Sequence, residues 1–323
     1  MSHVKLLTDK VMKGGQVTKA EALYLYEQLL SELCESADRI RQRFCGNSFD
    51  ICTIMNGKSG SCPEDCKFCA QSAHNHADVS QYPLLPAEEI LAKAKANREQ
   101  GVLRYSIVTS GKRLSDTEVD QMCEVIRKIK KEVGISVCVS FGLLNERQFR
   151  ELKEAGATRA HNNLETSRRR FSSVCTTHTF DDKVQAIRAA QAAGLSVCSG
   201  GIMGLGETVE DRIDMALSLR KLGIQSVPVN MLNPIPGTPF ESNEKLTEED
   251  MRRIVAVYRF ILPAASIRLA GGRGLLHDKG RGCFTSGANA AISGDMLTTA
   301  GITAKTDMKL INELGYEAKL CNE

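Results

Sequence analysis

Eight short apolar or β-branched runs recur along the chain, most of them separated by a stretch whose apolar residues repeat at helical spacing. The runs are FDICTIMN (49–56), VLRYSIVTS (102–110), GISVCVSF (134–141), ATRAHNNL (157–164), LSVCSGGI (195–202), IQSVPVNML (224–232), ASIRLAGG (265–272) and the weaker TSGANAAISG (285–294). Helical stretches are clearest at 86–100, 115–132, 144–155, 181–193, 207–222 and 247–261. Gly101, Gly134, Gly156, Gly194 and Gly223 each follow one of them, where a left-handed residue ends a helix. Such alternation predicts an α/β fold with a parallel sheet. A closed (β/α)8 barrel of TIM type and an open doubly wound sheet both satisfy it; the count of eight favours the barrel. Neither a GxGxxG turn nor a GxxxxGKS/T loop occurs.

The same pattern divides the chain into an N-terminal helical extension (1–47), the barrel (48–300) and a C-terminal helix and tail (301–323). In the extension, Thr18 followed by Glu21 is a capping-box pair. Ala22, Leu23, Tyr26, Leu29 and Leu30 then recur at helical spacing. The final helix reads from Met308 to Leu314.

Side chains alternate across a strand. In SVCVS, Val137 and Val139 face the helices, and Ser136, Cys138 and Ser140 face the lumen. The same reading turns Cys52, Arg104, Ser106, Ser196, Cys198, Asn230 and Arg268 inward. Ordinary barrel lumens are filled with Val, Ile and Leu. Polar groups are costly to bury without partners, so this lumen predicts a site inside the barrel.

Lys+Arg number 42 against 39 Asp+Glu, a net charge of +3 over 323 residues. That balance points to neither nucleic acid nor a membrane surface. No stretch of 18 apolar residues occurs, so no membrane span is expected. The opening MSHVKLLTDKVMKGG does not resemble a signal peptide. Twelve Cys without an export signal suggest reduced thiols in a cytoplasm, either buried as small hydrophobes or bound to metal.

Spacing narrows that choice. Cys62-Pro63-Glu64-Asp65-Cys66-Lys67-Phe68-Cys69 reads CxxxCxxC. It follows the first strand, at the C-terminal face where barrel sites are built. Three thiolates within eight residues suit an Fe–S cluster or zinc. A four-iron cubane held by three Cys keeps one iron open to a substrate. Two readings compete: a structural zinc site of Cys66, Cys69, His74 and His76, and inert buried thiols.

CxxxCxxC with an aromatic residue before the last Cys resembles the signature of the radical S-adenosylmethionine (SAM) enzymes. Within them, SGSCPEDCKFCAQS resembles the biotin synthase family. HNNLETS (161–167), VCSGGIMGLGET (197–208), SVPVNMLNPIPGTP (226–239), IRLAGGR (267–273) and CFTSGANA (283–290) are similar to that family's later motifs, in order.

The resemblance implies a 4Fe–4S cluster held by Cys62, Cys66 and Cys69, whose open iron binds SAM. Reductive cleavage of SAM would give a 5′-deoxyadenosyl radical that takes hydrogen from dethiobiotin. Sulfur from a sacrificial auxiliary Fe–S cluster would then be inserted to form biotin. The resemblance also implies SAM contacts for Asn163, Glu165, Gly200 and Gly201, and substrate contacts for Asn163 and Asn230. For the glycines, simple tight turns compete. A flavodoxin or ferredoxin electron donor, a homodimer and a cytoplasmic location come with the same resemblance. A related mutase or cofactor-maturation enzyme in the same barrel, and a zinc-stabilised binding protein, are the other readings.

One position departs from the family pattern. Its auxiliary 2Fe–2S cluster takes three Cys and one Arg from the strands. Cys138, Cys198 and Arg268 match, but Ser106 stands where the pattern has the remaining Cys. A hydroxyl is a poorer iron ligand than a thiolate. Cys52 and Cys45, upstream of the SAM motif, are expected to complete the set with Cys138 and Cys198. Four thiolates suit a four-iron cluster, with ordinary buried thiols as the competing reading for Cys45 and Cys52. Cys175 has no assignment. His161 reads as a lumen or rim residue, and Arg168-Arg169-Arg170 as a solvated loop or a carboxylate binder.

Overall fold

The computed structural model describes residues 2–322. Three helices open the chain: α1 (His3–Met12), α2 (Lys19–Tyr26) and α3 (Leu30–Cys45). Then come β1 (Ser48–Lys58), α4 (Ala87–Glu99), β2 (Arg104–Thr109), α5 (Asp116–Glu132), β3 (Ser136–Ser140), α6 (Glu146–Ala155) and β4 (Arg159–His161). The second half holds α7 (Phe171–Val174), α8 (Phe180–Ala192), β5 (Ser196–Cys198), β6 (Gly201–Met203), α9 (Val209–Lys221), β7 (Ser226–Met231), α10 (Glu248–Ile261) and β8 (Ser266–Leu269). It ends with α11 (Arg281–Phe284), β9 (Ala290–Ser293), α12 (Ala304–Glu313) and β10 (Glu317–Ala318).

Neighbouring strands pair in parallel around a ring, and β9 returns to β1. β5 and β6 share one barrel position. Both pair with β7 at the same offset, Cys198 opposite Ser226 and Gly201 opposite Val229. Eight positions therefore close a (β/α)8 barrel, as the alternation predicts.

Gly200 and Gly201 mark the break between β5 and β6. A Cβ on Gly200 would fall 1.9 Å from the Pro228 carbonyl oxygen, and one on Gly201 2.4 Å from that of Glu165. Only glycine lets three backbones come so close.

The helices begin where their sequences say. Capping boxes form at Thr18–Glu21, Ser115–Glu118, Asn145–Gln148, Thr179–Asp182, Thr208–Asp211 and Thr247–Asp250. Tyr105, Ile107, Val137, Val139, Val227 and Ile267 point outward into the main core between strands and helices.

The weakest run, 285–294, contributes only Ala290–Ser293, because the residues before it form α11 and a turn. The final helix starts earlier than its apolar pattern suggests, at Ala304, capped by Thr303. Beyond it, β10 extends the lower end of β1, with Ser48 opposite Glu317. The tail then crosses under the barrel. Arg159 Nη2 donates to the carbonyls of Cys321 and Asn322, 2.8 Å each. No helix among the described residues is long and apolar enough to cross a membrane.

Candidate active site in the barrel lumen

Strand alternation gives this barrel a cavity of about 390 Å³ down its axis. It is lined by the inward positions expected, among them Cys52, Ser106, Cys138, Cys198, Asn230 and Arg268. Cys62, Cys66 and Cys69 border the same cavity from above, because their loop leaves the C-terminal end of β1.

That loop is tightly bonded to itself. Cys62 N donates to Gln71 O at 3.1 Å, and Ala73 N to Cys62 O at 2.8 Å. Asn75 Nδ2 donates to the carbonyls of Cys66 and Cys69, at 3.2 and 2.8 Å. The amide of Gly111 donates to Cys62 Sγ at 3.3 Å. Burial pushes the Cys69 thiol up to about 11, so binding a metal there releases a proton. The three thiols are too spread to meet on one ion: among the described residues, only Cys66, Cys175 and His178 gather ligand atoms within 4.8 Å. A spread of this kind suits a cluster, in which each thiolate holds a different iron.

Polar side chains line the middle of the lumen. Glu165 adopts a left-handed backbone, φ +67°, which is uncommon for a side-chain-bearing residue. Burial raises its carboxyl pKa. Asn163 donates to it from Nδ2 at 3.3 Å and accepts from the Gly200 amide at 3.1 Å. Asn230 joins β7 to its neighbours, donating to Gly201 O at 3.0 Å and accepting from Gly271 N at 2.9 Å.

The floor is strongly cationic. Asp50, Arg104, Arg159 and Arg268 are all buried there, with three guanidiniums around one carboxylate. Cys52, Cys138 and Cys198 all act on the Arg268 charge and raise its pKa; burial opposes them and Asp50 reinforces them. Ser106 hydrogen-bonds to Cys138. Ser226 Oγ donates to Cys198 Sγ at 3.3 Å. Burial disfavours the Cys198 thiolate, but His161, Arg268 and Arg159 outweigh it and bring the pKa down to about 6. Burial lifts Cys52 to about 12.

Several expectations are corrected. Cys45 does not reach the lumen. It ends α3, and its thiol lies 3.4 Å from Arg259 Nη1 and 3.9 Å from Ala265 O. Gly46, with φ +56°, turns the chain before β1 begins, which leaves Cys45 outside the barrel. The four-thiolate set therefore becomes three thiols beside Arg268. The zinc site of Cys66, Cys69, His74 and His76 does not assemble; His74 is exposed, with Nε2 3.0 Å from Pro63 O. The missing Cβ atoms of Gly200 and Gly201 make room for the backbones of Pro228 and Glu165, and neither glycine has the left-handed φ of a tight turn. The arginine run agrees with its solvated-loop reading: Arg168 and Arg169 are exposed and pair with Asp181 and Asp211 of the same chain, and Arg170 donates to Leu205 O.

Residues the sequence reading passed over also belong here. Asp50, Arg159 and Lys183 were missed, although Asp50 and Arg159 hold inward positions that alternation identifies.

Residues 58–219 match the Radical SAM superfamily, and residues 228–317 the Biotin and Thiamin Synthesis associated domain. A biotin synthase of Brachyspira hyodysenteriae is 60% identical over 97% of this chain and 94% of its own length. That of Akkermansia muciniphila is 56% identical over 99% and 100%, and one from Clostridium botulinum 50% over 98% and 100%. The chain belongs to the biotin synthase family. Among solved structures, methylornithine synthase superposes with a TM-score of 0.84 at 21% identity, each chain covered to 97%. An FeFe-hydrogenase maturase from Carboxydothermus hydrogenoformans reaches 0.84 at 20%, covering 99% of this chain and 80% of its own. At that identity the likeness is one of fold.

As a biotin synthase family member and a radical SAM enzyme, the chain takes a 4Fe–4S cluster, SAM and an auxiliary Fe–S cluster. Its donors fit both clusters. Soft thiols stand at each end of one cavity. At the floor, three buried guanidiniums share one carboxylate, and a thiolate-ligated cluster adds the negative charge that suits them.

Proposed function

We propose that this chain converts dethiobiotin to biotin by inserting sulfur, with Cys62, Cys66 and Cys69 holding the SAM cluster. Cys52, Cys138 and Cys198, beside Arg268, hold the auxiliary cluster. The observation that carries this reading is the presence of two separate thiol sets on one lumen cavity, above and below a polar middle. When bound, these groups supply a 5′-deoxyadenosyl radical and the sulfur to be inserted.

The chain's own residues position and shield. Asn163 and Glu165 offer an amide and a carboxyl at the height where SAM and substrate would lie between the two sets. Asn230 presents an amide fixed by two backbone partners, ready to orient a ureido or carboxylate group. Arg159, capped by the tail carbonyls, closes the floor against water. Ser106 does not replace a thiol; Cys52, on the neighbouring strand, restores three thiols and one arginine. The reading includes a homodimer in the cytoplasm, supplied with electrons by flavodoxin or ferredoxin.

The deciding experiment is an anaerobic assay with SAM, reductant and dethiobiotin, following biotin and 5′-deoxyadenosine by mass. Biotin formation is expected. SAM cleavage indifferent to dethiobiotin, with no biotin, would instead favour a mutase.

A further inference from the structure

One cluster of metal-ligating side chains has no place in this scheme. Cys66 Sγ lies 3.7 Å from Cys175 Sγ. Cys175 Sγ lies 3.3 Å from Nδ1 and 3.8 Å from Nε2 of His178. Among the described residues, this is the one group of three or more His, Cys, Asp or Glu with all ligand atoms within 4.8 Å. Cys175 and His178 are only 2% and 6% exposed.

Two edges of this group, Cys66 Sγ–Cys175 Sγ at 3.7 Å and Cys175 Sγ–His178 Nε2 at 3.8 Å, match a tetrahedral ion. Two thiolates at about 2.3 Å from such an ion stand about 3.8 Å apart, and a thiolate and an imidazole nitrogen about 3.6 Å. The surroundings also orient the imidazole as they would a ligand. The Glu64 carboxylate pairs with His178 Nδ1, and Thr177 Oγ1 donates to that carboxylate at 2.9 Å. This is the carboxylate–histidine arrangement that fixes metal-bound imidazoles. Phe171 packs edge-on against the ring at 5.5 Å. Asp65 holds the turn carrying Cys175, accepting from the amides of Thr176 and Thr177 at 2.8 and 3.1 Å.

We infer that Cys66, Cys175 and His178 form a mononuclear site for a divalent transition ion, zinc or ferrous iron, with Glu64 orienting the imidazole. Two sulfurs and one nitrogen suit ions of borderline softness, and the Asp65 carboxylate, 3.1 Å from Cys175 Sγ, stands beside the set. Cys66 also belongs to the SAM-cluster loop. As a terminal ligand that thiolate serves one metal at a time, so the single ion and the cluster exclude each other. That exclusion rests on the cluster reading above; the metal site itself does not.

The test uses the full chain freed of cluster under anaerobic conditions and titrated with Co²⁺, whose tetrahedral thiolate complexes absorb strongly in the visible. One equivalent is expected to develop the band. Cys175→Ala and His178→Ala should abolish it at the concentration that saturates the parent. Glu64→Gln should weaken binding about 10–100-fold. Cys62→Ala and Cys69→Ala should bind as the parent does. A band retained in Cys175→Ala and His178→Ala, or lost in Cys62→Ala, overturns the site. Cys175→Ala keeps both cluster-binding thiol sets, and iron uptake on reconstitution equal to the parent's shows that it folds. With the SAM cluster loaded, the parent should show no cobalt band; a full band there overturns the exclusion and leaves the site standing.

Discussion

Oδ2 of Asp50 stands 3.1 Å from Arg268 Nη2, and Arg159 and Arg104 reach the same oxygen at 3.5 and 3.8 Å. Burial works against this carboxylate, but Arg268, Arg104 and Arg159 together hold its pKa below the usual range. One acid thus organises the cationic floor on which the lower thiol set rests.

Asp50→Asn should therefore destabilise the chain by about 3–5 kcal/mol, because it leaves the guanidiniums without their shared anion. Urea unfolding at neutral pH reads the change. A midpoint equal to the parent's would mean that the arginines are balanced elsewhere.

Cys198 gives a pH signature in the cluster-free chain. Its folded pKa of about 6 lies below the roughly 8.5 of a free thiol. A depressed folded pKa contributes stability that is complete above the unfolded value and lost as pH falls through the folded one. The melting-temperature gap between parent and Cys198→Ala should be wider at pH 9 than at pH 5. Equal gaps would remove the thiolate from the account.

Iron content separates Cys52 from Cys45. After anaerobic reconstitution, Cys52→Ala should fall toward about four irons per chain, those of the SAM cluster alone. Cys45→Ala should keep the parent's iron and sulfide, because its thiol packs on Arg259 outside the lumen. The reverse result would restore the ligand set expected from sequence.

Gly200→Ala tests the approach of β5 to β7. The added methyl would meet the Pro228 carbonyl, which is backbone and cannot swing away. A loss of about 1–3 kcal/mol is expected in thermal or urea unfolding. A neutral substitution would show that the strands have room to part.

The fold was legible because each run obeys a simple period. The inward and outward faces of β2, β3 and β7 follow directly from SIV, SVCVS and SVPVNM. The break after Cys198 was not legible. LSVCSGGI reads as one strand, and its interruption depends on how closely Pro228 and Glu165 pass, which no local pattern encodes. Cys45 misled for a related reason. It is three residues from β1, but it belongs to the end of α3 and to Arg259 of α10. The Cys175–His178 cluster needs the loop after β4 to fold across the loop after β1, a contact between segments more than 100 residues apart.

Cys52 lies opposite Arg104, and Ser106 lies opposite Ile54, so the two occupy successive inward levels on adjacent strands. A closed ring of strands has no first member, and a donor can move one stave sideways while its atom still meets the same centre. Aligning such chains position by position would score one ligand as lost and the other as a stray cysteine. For barrels of this kind, the unit to compare is the set of lumen-facing donors gathered from adjacent strands and neighbouring levels, and not the position along the chain.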